Sequence, residues 1–157
     1  MGQSVFVSFE WRDTRPVAFM TMDGIGTLDG DPEVVLDQAA ELYWRFVLNT
    51  RRLVEGIRAA RSSRQPVLAR QMWDVGEAIF QLKKDLERLR LELDGVYAHL
   101  TRDLGVNRKW LERAVTFRRY LPDATLIPPA LKWGPCASAA RRAAERLRAK
   151  EPLDGAV

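Results

Sequence analysis

The chain contains one cysteine, Cys136, and one histidine, His99, in 157 residues. A lone cysteine excludes an intramolecular disulfide, and a reducing cytoplasm is the compartment that suits such a chain. One histidine with one cysteine falls short of the usual zinc ligand sets, so neither metal-dependent folding nor any cofactor is expected. Nucleophile and base chemistry is equally short of means, because His99, read as a surface or edge residue, is the only imidazole, and no enzymatic activity is expected. No run of eighteen apolar residues occurs, and the N-terminus lacks the basic-then-apolar order of a signal peptide. The expectation is a soluble protein without membrane contact. What the chain does have is 46% hydrophobic residues, with five Trp and six Phe, enough for one folded core at this length.

Positive charge is modest overall and unevenly spread. The formal net charge is +4, yet residues 102–150 hold twelve Lys or Arg against four Asp or Glu, an excess of +8. Such concentration is the electrostatic footprint of a phosphate-binding surface.

The stretch at 95–121, GVYAHLTRDLGVNRKWLERAVTFRRYL, lies at the start of this basic region and reads as a helix-turn-helix. Gly105 suits a turn that needs positive φ, and Asn107 is a good N-cap for a second helix and is itself expected to contact the DNA. Leu100, Leu104, Val106 and Leu111 fall at its apolar positions, Thr101 and Ala114 at its small ones. The second helix then carries Arg108, Lys109, Glu112, Arg113, Thr116 and Arg119 on its remaining face. These are mostly long donors able to reach base edges and phosphates in a major groove. Arg108, Lys109 and Arg113 are assigned to the groove; Arg118, Arg119, Arg141, Arg142 and Arg146 to the phosphate backbone.

Elsewhere the pattern is helical apart from the N-terminus. Residues 4–11 alternate Val5, Val7, Phe9 and Trp11 against Ser4, Phe6, Ser8 and Glu10, and a turn at Asp13 and Thr14 leads to a second apolar run, so a hairpin is expected. Two strands alone are marginal in water and need either the helices or a second copy of the chain as partner, the dimer being preferred. The glycines of 23–31 make a turn-rich connection with spacing unlike a nucleotide-binding or calcium loop. Asp31-Pro32-Glu33 starts a long helix to about residue 61. Pro66 opens the next helix, expected to run on through the charged, leucine-bearing 83–94 as one long helix or two nearly collinear ones, with pairs such as Lys83 with Glu87 and Arg88 with Glu92. Asp74 and Glu77 share a helix face and read as salt-bridge partners, not paired catalytic acids. The proline-rich 121–138 reads as a wrapped loop with a short turn at 130–133, and Ser138 as the cap of a basic final helix. The expected organisation is a hairpin and loop at 1–30, a helical domain at 31–137, and a basic helix and tail at 138–157.

With these helices placed, Met72-Trp73-Asp74-Val75-Gly76-Glu77-Ala78-Ile79 resembles the Tyr-Trp-x-Ile-Gly-x-x-Ile helix of the N-terminal domain that precedes PD-(D/E)xK nuclease domains in YhcG-type proteins. Gly95, Leu100, Asp103-Leu104, Leu111, Phe117, Tyr120-Leu121-Pro122, Ile127-Pro128 and Leu131-Lys132-Trp133 follow in the same order, covering roughly half the chain. The resemblance implies a helical domain whose helix-turn-helix binds DNA, in a regulatory role or with a mobile element or nuclease system. No Asp followed by Glu-x-Lys comes after Trp133, so it implies binding without cleavage.

The resulting expectation is a mainly α protein, a helical bundle containing a helix-turn-helix with a short N-terminal β-hairpin, that binds double-stranded DNA as a homodimer. The competing expectation is a non-catalytic helical adaptor, in which apolar residues of 35–57 assemble subunits and the basic helices meet an acidic protein.

Overall fold

The structure is a computed structural model that describes residues 5–21 and 30–151. Most of the glycine-rich connection, up to Asp29, and the tail after Glu151 lie outside the described residues. The fold is mainly α. Strands β1 (Val5–Arg12) and β2 (Arg15–Met20) form the N-terminal hairpin, and helices α1 (Pro32–Ser62) and α2 (Ala69–Arg88) follow. A short strand β3 (Leu91–Leu93) precedes α3 (Val96–Leu104) and α4 (Arg108–Tyr120). A 3-10 turn (Ala124–Leu126), α5 (Gly134–Ala137) and α6 (Ala140–Arg148) complete the chain.

These elements form two compact units, and the division runs through the long helices rather than between stretches of sequence. One unit gathers the described residues up to Asn49 with Phe80–Gly105; the other takes Thr50–Ile79 and continues from Val106. α1 and α2 therefore contribute to both.

In the first unit, β1 pairs antiparallel with β2, from Val7 opposite Met20 to Arg12 opposite Arg15, around the turn at Asp13 and Thr14. Asp13 takes φ 56°, the left-handed conformation that aspartate tolerates. Alternation sends Val5, Val7 and Phe9 into the core. The segment expected to prolong the second helix behaves otherwise. α2 stops at Arg88, Arg90 adopts φ 58°, and Leu91-Glu92-Leu93 pairs parallel with β1. Both leucines are buried and Glu92 is exposed, the period-two pattern of a strand. Because the helix has ended, Arg88 pairs with Asp85 at 3.2 Å instead of reaching Glu92.

The hairpin is covered by helices of its own unit. Phe9 stacks on Tyr43 of α1 with ring centroids 4.2 Å apart and planes 4° from parallel. Burying each ring contributes about 1.5–3 kcal/mol, and the pair about 0.5–1.5 kcal/mol beyond that. His99 of α3 stands edge-on to both rings and is buried, which corrects its assignment to the surface. Its Nε2 accepts the Phe9 backbone N–H at 2.9 Å, so the ring proton lies on Nδ1, 3.1 Å from the Gly95 carbonyl oxygen. The buried Asp103 carboxylate closes the cluster. It accepts from the Tyr43 hydroxyl, from Trp11 Nε1 at 2.9 Å and from Arg102 Nε at 2.7 Å. Burial pushes this carboxyl up, but the hydrogen bonds from Arg102, Tyr43 and Trp11 outweigh it and hold it below the ordinary carboxylate value.

In the second unit, α4 lies against the first half of α2. A Cβ on Gly76 would stand 2.4 Å from the Ala114 carbonyl oxygen, so only glycine allows this approach. Trp73 donates its indole N–H to the Leu121 carbonyl oxygen at 2.7 Å, and Glu77 pairs with Arg118. The second helix opens at Ala69 and not at Pro66, because Val67 and Leu68 are extended against the segment around Lys132. The Gln71 side chain then caps the helix by accepting the Leu68 N–H at 2.9 Å. The proline-rich segment, expected as a wrapped loop with a short turn at 130–133, holds α5 just beyond that turn. α6 opens at Ala140, Ser138 ending α5 instead of capping α6. Its buried stripe of Ala140, Ala143, Ala144 and Leu147 packs on α4.

Candidate nucleic-acid interface

The local chemistry of the proposed recognition helix is as its residues require. Gly105 ends α3 with φ 68° and returns its N–H to the Thr101 carbonyl oxygen. Asn107 is extended, and its side-chain oxygen accepts the Trp110 N–H at 2.8 Å, capping α4 at the expected residue. α3 belongs to the first unit and α4 to the second, the division falling between Gly105 and Val106.

Within the second unit, α4 and the segment from Ala137 into α6 enclose an open groove of about 620 Å³. Lys109, Glu112, Arg113 and Thr116 line one side, and Arg141, Arg142 and Glu145 the other. Seven residues assigned to the nucleic acid thus meet around one surface, or flank it, from two separate stretches of the chain: Lys109, Glu112, Arg113, Thr116, Arg141 and Arg142 in its lining and Asn107 in the cap of its helix. The wall between them is built from the small residues Ala137, Ser138, Ala139 and Ala140, which the charge pattern alone did not single out. The alanine-rich run before the arginines was the available signal.

The cations of this surface differ in how far they are committed. Lys109 and Arg142 are exposed, Arg113 is half-buried, and none has an acidic partner among the described residues. Arg119 is exposed and likewise without one. Arg108 pairs with Glu112 at 2.7 Å, and Arg141 with Glu145 at 2.9 Å. Arg141 also lies over the Tyr120 ring, 4.5 Å from its centroid. The Glu145 hydrogen bond raises Arg141 further above its ordinary value, so it stays cationic. Arg146 is half-buried and engaged within the protein. Arg118 corrects its assignment to the phosphate backbone. Its side chain is only 12% exposed, paired with Glu77 and set over the Trp73 ring, so it holds α4 to α2.

The two acids once weighed as a catalytic pair are occupied by cations, Asp74 by Arg70 at 2.9 Å and Glu77 by Arg118. Among the described residues, no group of three or more His, Cys, Asp or Glu is placed to hold a metal ion, and no helix is long and apolar enough to cross a membrane. Some residues that carry the resemblance to YhcG-type proteins contact one another in the second unit: Trp73 with Leu121, and Phe117 with Trp133, whose ring centroids lie 5.2 Å apart edge to face. Comparison of the chain with protein-family models, with curated proteins and with solved structures yields no match.

Proposed function

We propose that this protein binds duplex DNA, without catalysing a reaction on it, through the groove between α4 and α6. The observation that carries this reading is the convergence of Lys109, Arg113 and Arg142, cations without acidic partners among the described residues, on one open surface beside a well-capped helix. Lys109 and Arg113 serve the base edges, with Thr116 beside them; Arg142, Arg141 and Arg119 serve the phosphates. Glu112 and Glu145 neutralise Arg108 and Arg141 locally and, as acids within the groove, oppose indiscriminate phosphate binding. The resemblance to the N-terminal domain of YhcG-type proteins, which implies a DNA-binding helix-turn-helix, supports the same assignment; a cytoplasmic location, where DNA and a reduced Cys136 coexist, belongs to the same proposal.

Association as a homodimer belongs to this reading. β2 forms one edge of the sheet, and Phe19 and Met20 on it are exposed, which is the chemistry of a strand that pairs with another copy. Two copies would present two recognition helices to a repeated half-site.

The test is fluorescence anisotropy of labelled random duplex at two salt concentrations. Lys109→Glu with Arg142→Glu should abolish binding, whereas Arg12→Glu in the hairpin should leave it intact. Equal loss from both variants, or no salt-sensitive binding by the folded wild type, would reject the assignment and favour an acidic protein as the partner of these helices.

A further inference from the structure

The second unit has another concavity, a cleft of about 420 Å³ formed where the end of α1, the start of α2, α4 and the Lys132–Ala137 stretch come together. Its volume falls in the range of about 300–1,000 Å³ typical of sites for small organic molecules. The interior is apolar, made by Val67, Met72 and Trp133, with the half-buried Trp110 as a further wall. Arg61, Arg113 and Lys132 also line it, and among the described residues no carboxylate does.

The hydrogen-bonding side chains here are all donors. Arg61, Arg113 and Lys132 have no acidic partner among the described residues. The indole N–H groups of Trp110 and Trp133 have no acceptor there either, whereas those of Trp11 and Trp73 are spent on Asp103 and the Leu121 carbonyl oxygen. A space with an apolar interior, flat aromatic walls and polar side chains that only donate is complementary to a ligand that brings acceptors and negative charge on an apolar body. We infer that the cleft is a binding site for a small organic anion, a carboxylate, sulfonate or phosphate carried on an aromatic or similarly flat apolar frame. The guanidinium of Arg61 and the ammonium of Lys132 receive the anionic group, while Met72 and the tryptophans cover the frame. This assignment stands on the cleft alone and does not rest on DNA binding.

The test uses 1-anilinonaphthalene-8-sulfonate, followed by dye emission on excitation of the protein's tryptophans, beside the uncharged N-phenyl-1-naphthylamine. The full chain should bind the sulfonate saturably with one site per chain. Arg61→Gln with Lys132→Gln should weaken it about tenfold while changing the uncharged dye less than about twofold, since only the charge-assisted contacts are removed. Arg61→Lys with Lys132→Arg should restore most of the affinity, and Lys109→Gln with Arg142→Gln, in the other groove, should leave it unchanged. Non-saturable binding, sulfonate affinity indifferent to the Arg61 and Lys132 pair, or equal weakening of both dyes would overturn the assignment.

Discussion

Gly76→Ala is expected to destabilise the protein although alanine is the better helix former. The added Cβ would lie 2.4 Å from the Ala114 carbonyl oxygen and 2.7 Å from the Arg118 Cβ, against ordinary contacts beginning at 3.4 Å. The nearest obstacle is backbone, so relief requires α2 and α4 to separate by roughly the missing ångström. Overpacking of this kind costs about 1–3 kcal/mol, and the same separation stretches the Trp73 and Glu77 bonds that join the two helices, at about 1 kcal/mol each. Helix propensity returns about 1 kcal/mol. The balance is a loss of about 3 kcal/mol, or about 6–12 °C in Tm for a chain of this size. Gly56 is the control: it sits within α1 with nothing inside 4 Å of an added Cβ. Gly56→Ala should therefore gain up to about 1 kcal/mol and raise Tm by about 2–4 °C. Urea denaturation and calorimetry of both variants measure the contrast. A Gly76→Ala protein as stable as the wild type, or stabilised like Gly56→Ala, would refute the close approach of α2 and α4.

Asp103 is held below its ordinary value, so the stability it contributes is complete above its unfolded value of 3.8 and is lost as pH falls through the lower folded value; Asp103→Asn should be less stable at neutral pH and show a flatter acid limb in pH-dependent melting. Thr50 is buried with its hydroxyl lacking a hydrogen-bond partner among the described residues, so Thr50→Val, similar in shape, should add about 1 kcal/mol in urea denaturation. Arg118→Ala should lower stability by about 1–3 kcal/mol by leaving Glu77 without this cation, whereas Arg119→Ala at the exposed neighbouring position should stay within about 0.5 kcal/mol.

What could be read from the residues was the chemistry that acts within a few positions. The Gly105 turn, the Asn107 cap and the Pro32 start of α1 each depend on backbone groups one to four residues away, and each is found where expected. The N-terminal hairpin was equally local, its turn set by Asp13 and Thr14. Long-range partners were illegible. His99 reads as a lone polar residue until Phe9, ninety residues earlier, supplies the N–H that buries it. Leu91-Glu92-Leu93 continues a leucine-rich helical pattern, and only β1 across the sheet makes it a strand. Arg118 looked like one more surface cation because Glu77 lies forty-one positions away. The groove itself was half legible: its cations stood out by charge, but their convergence depends on α6 packing on α4 through alanines.

The salt dependence of duplex DNA binding tests the central claim most directly. Each phosphate neutralised contributes about −0.9 to the slope of log K against log salt, so phosphate contacts by Arg119, Arg141 and Arg142 predict a wild-type slope of about −3 or steeper, made shallower by about 0.9 in Arg142→Ala. A slope near zero, or one that Arg142→Ala leaves unchanged, would contradict the assignment of this groove to DNA.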